Sequence, residues 1–158
     1  TQPCSSAASD VYKRQAECFL KINGHKWFWV STIRLAEALS KNSKNVYNYN
    51  WTFPGPHGSP YHGSSLPFFL DYVYSEVGKQ MCGENESVQK LSVIINKIVE
   101  NFLTSGNPNK SDDVPVWPTY DDSMESLLFA ETIETFKDFN SSLRKTWDQV
   151  EEKIPGNL

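Results

Sequence analysis

Residues Val46-Tyr47-Asn48-Tyr49-Asn50-Trp51-Thr52-Phe53 put Tyr47, Tyr49, Trp51 and Phe53 on one face and smaller, mostly polar side chains on the other, and Pro54 ends the run. Alternation with period two in β-forming residues predicts a strand over 46–53. A strand constrains its chain more than a helix does, because its backbone N–H and C=O groups are satisfied only by neighbouring strands. This chain offers few neighbours. Leu127-Leu128-Phe129-Ala130 has room for a second short strand, and most of the remaining apolar pattern is helical. The expected fold class is therefore α/β, mostly helical, with one clear strand (46–53) and a second short one at 127–130.

From Glu86 to Thr104 apolar residues fall at Val88, Leu91, Ile94, Ile95, Ile98, Val99, Phe102 and Leu103, and Gly106 with Pro108 supplies a stop. This predicts the longest helix. Ser31 to Leu39 places Ile33, Leu35, Ala36 and Leu39 mostly on one side, with Ser31 or Thr32 as a cap. Ser65-Leu66-Pro67 reads as a helix start, with Ser65 as cap and proline in the first turn, leading into a short, partly irregular helix through Tyr74. Val114 to Tyr120 is extended and irregular, and Phe139 or Asn140 to Lys153 reads as a charged helix. Residues 1–15 are small, polar and aperiodic; they resemble a translated library adapter and are set aside as a disordered, non-native leader, with a natural flexible tail as the alternative.

A chain of 158 residues with 39% hydrophobic content can build one domain with a real core. Its longest apolar stretch, Leu91 to Leu103, is interrupted by Ser92, Asn96, Lys97, Glu100 and Asn101, so no membrane span is expected. Lys and Arg form no run longer than a pair in a chain of net charge −4, which leaves no footprint for nucleic acid or an anionic membrane. Cys4, Cys18 and Cys82 have neither CxxC spacing nor clustered histidines, so no zinc site is expected and no disulfide can be assigned. Asp112-Asp113 and Asp121-Asp122 lack the spaced oxygen ligands and glycine of a calcium loop and read as solvated turns. No metal or cofactor is expected. Asn50, Asn85, Asn109 and Asn140 each begin an N-x-S/T sequon, which points to a secreted glycoprotein.

Candidate chemistry lies beyond the strand. Gly55-Pro56-His57-Gly58-Ser59-Pro60 can only be loop, so His62, within Tyr61-His62-Gly63-Ser64-Ser65-Leu66-Pro67-Phe68, sits a few residues past the strand's C-terminal end. An imidazole with an ordinary pKa of about 6.5 suits proton shuttling at neutral pH, and a loop leaves the ring accessible. His57 is the competing position in the same loop, while His25 is read as a surface or partly buried residue. Trp117-Pro118-x-Tyr120 is assigned to packing rather than ligand contact, and Glu131 and Glu134 receive no role.

In order along the chain, Arg34-Leu35-Ala36-Glu37-Ala38, Val46-Tyr47-x-Tyr49-x-Trp51, His62-Gly63-x-x-Leu66-x-Phe68, Asn101-Phe102-x-x-x-Gly106-Asn107-Pro108-Asn109 and Trp117-Pro118-x-Tyr120 resemble the C-terminal part of a type-B carboxylesterase, the α/β-hydrolase family that includes cholinesterases and juvenile hormone esterases. The resemblance runs from about Phe28 to Phe139. It implies that 16–158 is the C-terminal part of a single α/β-hydrolase domain whose N-terminal part is missing. It also implies that His62 is the general base and acid of a Ser-His-Glu or Ser-His-Asp triad acting on a small-molecule ester. Only His62 is followed by Leu66 at +4 and Phe68 at +6, the apolar pattern that follows the family's histidine. Ser65 stands where an acidic residue is usual and Val99 where tryptophan is frequent, so the member is divergent.

None of the eight glycines is followed by serine at +2 and glycine at +4, and no HGGG-type segment occurs. The expectation is a serine carboxylic-ester hydrolase of which this chain supplies only the catalytic-histidine segment, inactive alone and poorly stable because the strand would lack its parallel neighbours. The alternatives are a non-catalytic, neuroligin-like adhesion protein on the same fold and a complete small helical binding module. Substrate and oligomeric state are left open.

Overall fold

The computed structural model describes residues 4–153. Its elements run α1 (Cys4–Gly24), a π-helical stretch (His25–Val30), α2 (Ser31–Ser40), β1 (Tyr49–Trp51), a 3₁₀ turn (Gly55–His57), α3 (Leu66–Phe69), α4 (Glu76–Cys82), α5 (Glu86–Ser105), β2 (Glu125–Phe129), β3 (Ile133–Lys137) and α6 (Ser141–Lys153). The chain divides into two compact units, one made of the described residues up to Ala38 together with those from Asn140 on, the other of Leu39–Phe139.

In the first unit, residues 4–15 are helical, where disorder is expected from sequence. Ala7 and Ala8, then Lys13, Arg14 and Gln15 leading into Ala16 and Glu17, are good helix formers, and no glycine or proline interrupts residues 4–23. The helix expected to begin at Ser31 has no start there. Gly24 is itself right-handed helical (φ −58°, ψ −42°), and the chain passes through the π-helical stretch into α2. Ser31 does not cap; its hydroxyl donates to the Lys26 carbonyl at 3.0 Å. Arg34 on α2 pairs with Glu37 at 2.9 Å and with Asp148 of α6, which Arg144 also approaches at 3.3 Å.

The second unit carries the sheet, in the order β1-β2-β3. β1 pairs parallel with β2, Tyr49 opposite Leu127 and Trp51 opposite Phe129. β2 pairs antiparallel with β3, Phe129 opposite Ile133. β1 is shorter than the predicted 46–53, yet the extended path continues past both ends: the Asn48 carbonyl accepts from Leu127 N–H at 3.1 Å, and Thr52 N–H donates to the Phe129 carbonyl at 2.8 Å. Val46 leaves the ladder because its carbonyl accepts instead from Tyr120 N–H at 2.7 Å. The second strand begins at Glu125 and stops at Phe129, and β3 was not anticipated. Among the described residues β1 has a strand on one side only.

A parallel pair requires a crossover, and here it contains α3, α4 and α5. α5 begins at Asn85, whose side chain accepts from Val88 N–H at 2.9 Å, and ends at left-handed Gly106 (φ 71°), whose N–H donates to the Phe102 carbonyl. Its buried stripe of Val88, Leu91, Ile95 and Ile98 joins Phe68, Val73, Leu127 and Phe129 in one core. Full burial of such side chains stabilises by roughly 1.5–3 kcal/mol each before entropy is counted. Val99, at the position of the missing tryptophan, is half-buried against that core.

Candidate active site

The segment between β1 and α3 is built around His62. Beyond Pro54 the chain makes one 3₁₀ turn and reverses at left-handed Gly58 (φ 73°), whose N–H closes on the Gly55 carbonyl at 3.3 Å. Tyr61 to Ser64 then form a tight turn. Ser64 N–H donates to the Tyr61 carbonyl at 3.0 Å, and Gly63 takes φ +83°, the value a type II turn demands at its third residue. Leu66 N–H next donates to the Gly63 carbonyl at 3.0 Å, carrying the turn into α3. His62 is thus the second residue of a β-turn and is exposed, on a loop as the sequence leads one to expect.

Two supports fix this turn. On the α3 side, Pro67 and Phe68 are buried, the Phe68 ring lies 5.0 Å from Trp51, and Phe69 stacks on Tyr49 at 4.9 Å, so α3 is fastened directly to β1. Ser65 stands at the start of α3, but its side chain makes no cap bond; its carbonyl accepts from Phe68 and Phe69 N–H instead. On the other side, the Tyr61 hydroxyl donates to the Met81 carbonyl of α4 at 3.2 Å. Burial, with Cys82 and Tyr72 nearby, pushes the pKa of the Tyr61 hydroxyl up.

α4 comes close because Gly78 lies against the Tyr72–Val73 backbone and Ser75 caps the helix by accepting from Gly78 N–H at 3.0 Å. Cys82 at its end is buried, which pushes its thiol up to about 11. An open cavity of about 390 Å³ lined by His57, Ser59, Tyr61, Gln80 and Met81 lies between this helix and the loop.

His57 packs edge-on against Tyr61 at 5.7 Å. His25, in the other unit, packs edge-on against Trp29 at 5.7 Å, and burial with Lys21 nearby lowers its pKa. Trp117 and Tyr120 are buried: the Trp117 indole N–H donates to the Asn48 carbonyl at 2.9 Å, and both residues anchor the chain beside β1, as assigned from sequence. The Asp121 carboxylate accepts from Ser123 N–H at 2.7 Å and is held below the usual carboxylate range by that bond. The Glu134 carboxylate accepts from the Thr132 hydroxyl at 2.9 Å on the exposed face of β3. Among the described residues no cluster of three or more His, Cys, Asp or Glu could hold a metal ion.

In two of the four sequons the asparagine side chain itself holds the fold. Asn85 caps α5, and Asn109 clamps Trp117 twice, accepting from its N–H and donating to its carbonyl at 2.7 Å each. Ser64 received no role from sequence, although a serine three residues after Tyr61 with glycine between them is a readable turn pattern.

The family model described as "Carboxylesterase family" matches residues 3–147, beginning well upstream of Phe28, where the resemblance in sequence motifs starts. Among solved structures, a PNB esterase superposes with a TM-score of 0.69 at 25% identity, covering 90% of this chain and 29% of its own. A thermophilic PNB esterase gives 0.68 at 25% identity over 91% and 30%. A Geobacillus stearothermophilus carboxylesterase gives 0.70 at 20% identity over 82% and 27%, a likeness of fold. The chain therefore spans less than a third of the length of these structures. No curated protein matches it.

Proposed function

The chain belongs to the carboxylesterase family and has the fold of part of an α/β-hydrolase, and from that premise we propose that it is the histidine-bearing portion of a longer serine carboxylic-ester hydrolase, with His62 as general base and acid. The observation that carries the reading is the place of His62: an exposed ring in a two-sided, fastened turn beyond the C-terminal end of a parallel strand, the end at which open α/β sheets present their chemistry.

In this mechanism the neutral imidazole of His62 takes the proton of a serine hydroxyl as it attacks the ester carbonyl, then returns that proton to the departing alkoxide. An acyl-enzyme forms, and the same two proton transfers, with water in place of the hydroxyl, release the acid. Such a cycle needs a nucleophile, oxyanion donors and an orienting carboxylate from outside this chain, so the chain alone is inactive. The substrate is a small ester. The exposed sequon at Asn140 extends the reading to a secreted glycoprotein.

The test is the full-length reading frame. A serine elbow upstream, hydrolysis of short-chain p-nitrophenyl esters and covalent capture of that serine by an organophosphonate are the expected outcomes. Glycine or alanine at the elbow, with no turnover, would instead favour the adhesion-type relative.

A further inference from the structure

We propose that Ser64 is a positioning residue for His62, setting the direction in which its side chain leaves the backbone by closing both main-chain groups of Tyr61 onto itself. The inference rests on the esterase reading for its catalytic consequence, but its geometry is independent of it. Ser64 is 7% exposed although it carries a hydroxyl, and it lies two residues from an exposed histidine.

That hydroxyl accepts from Tyr61 N–H at 3.3 Å, while Ser64 N–H donates to the Tyr61 carbonyl at 3.0 Å. The two bonds join the ends of Tyr61-His62-Gly63-Ser64 in a double closure. An ordinary β-turn has only the second bond and many lack even that. The Cα–Cβ vector of His62 is then set by a turn braced at Tyr61 through Met81 and at Leu66 through Gly63.

The bracing matters because a base–acid imidazole must aim one ring nitrogen at the nucleophile and the other at its orienting carboxylate. Small misplacement at this step costs rate steeply while leaving ground-state binding alone. Without the Ser64 hydroxyl, Tyr61 N–H loses its acceptor. The backbone closure and the braces through Met81 and Gly63 remain, so the turn keeps its place while Tyr61 and His62 gain freedom within it.

The test compares four forms of the full-length protein: wild type, Ser64→Ala, and the equal-volume pair Ser64→Thr and Ser64→Val, of which only Thr keeps the hydroxyl. Ala and Val should each lower kcat by about tenfold with KM within about twofold, and Thr should restore most of the loss. The ¹³C-labelled His62 ring resonances should shift and broaden in Ala and Val while those of His25, packed on Trp29 in the other unit, stay in place. Equal kcat for Thr and Val, or an unmoved His62 resonance in Ala, would overturn the proposal. If His62→Ala kept wild-type turnover, the esterase reading would fail, whereas the His62 resonances in Ser64→Ala would still decide whether Ser64 holds the turn.

Discussion

Gly78→Ala should destabilise this fold, against the direction that helix propensity gives. Alanine in a helix interior is worth about 0.8–1 kcal/mol over glycine when nothing opposes it. Gly78 lies inside α4, but a Cβ built there would overlap the Tyr72 carbonyl oxygen and stand 2.7 Å from Val73 Cα and 2.8 Å from its carbonyl carbon. Comfortable carbon contacts lie at about 3.5–4 Å, so the backbone must retreat by roughly an ångström. No flexible side chain intervenes to absorb that, and Val73 is itself 1% exposed in the core. Over-packing of this kind costs about 1–3 kcal/mol and at a backbone contact falls at the upper end, leaving a net loss of about 2 kcal/mol after the propensity gain. Because the Met81 carbonyl moves with α4, the Tyr61 tether on the His62 turn should loosen too. Urea titration of the full-length protein, followed by near-UV CD of the aromatic core, reads the loss. Gly24→Ala is the control, since Gly24 is right-handed helical and its Cβ would meet nothing within 4 Å. A neutral or stabilising Gly78→Ala would refute the packing argument.

Asn109→Ala removes both part-buried bonds to the Trp117 backbone and should cost about 1–3 kcal/mol in the same titration, at about 0.5–1.5 kcal/mol net per bond; a loss below about 0.5 kcal/mol would show that the clamp is not structural. Cys82 should resist a thiol reagent such as DTNB at pH 8 while exposed Cys18 reacts promptly, and equal rates would contradict the burial. Because the Cys82 thiol is raised from 9.0 to about 11 in the folded state, folding favours its protonated form. That contribution is whole below about pH 9 and is lost as pH rises through 11, so stability should fall across this window in wild type and less in Cys82→Ala.

What the sequence made legible depended on burial. The α5 stripe and the aromatic face of β1 were readable because one face of each is in the core, and α5 ends within a residue of its predicted stop. β3 escaped because Glu134, Thr135, Phe136 and Lys137 are all exposed, so no alternation of apolar and polar residues marks the strand. α4 escaped for the opposite reason: a glycine in mid-helix argues against helix locally, and only the close approach to Tyr72 and Val73 explains it. The placement of His62 on a loop past the strand was legible, through Pro54 and the glycines that follow it. At Ser64 the turn pattern was legible, but the bond its hydroxyl accepts from Tyr61 N–H was not, because that depends on the geometry of the closed turn.

The central claim is that His62 moves the proton in ester hydrolysis, and the most direct measurement is the turnover of His62→Ala in the full-length protein on a p-nitrophenyl ester. Loss of the base should lower kcat by about 10³-fold or more with little change in KM, the signature of a group that acts in the transition state. Wild-type turnover in that variant would contradict the account.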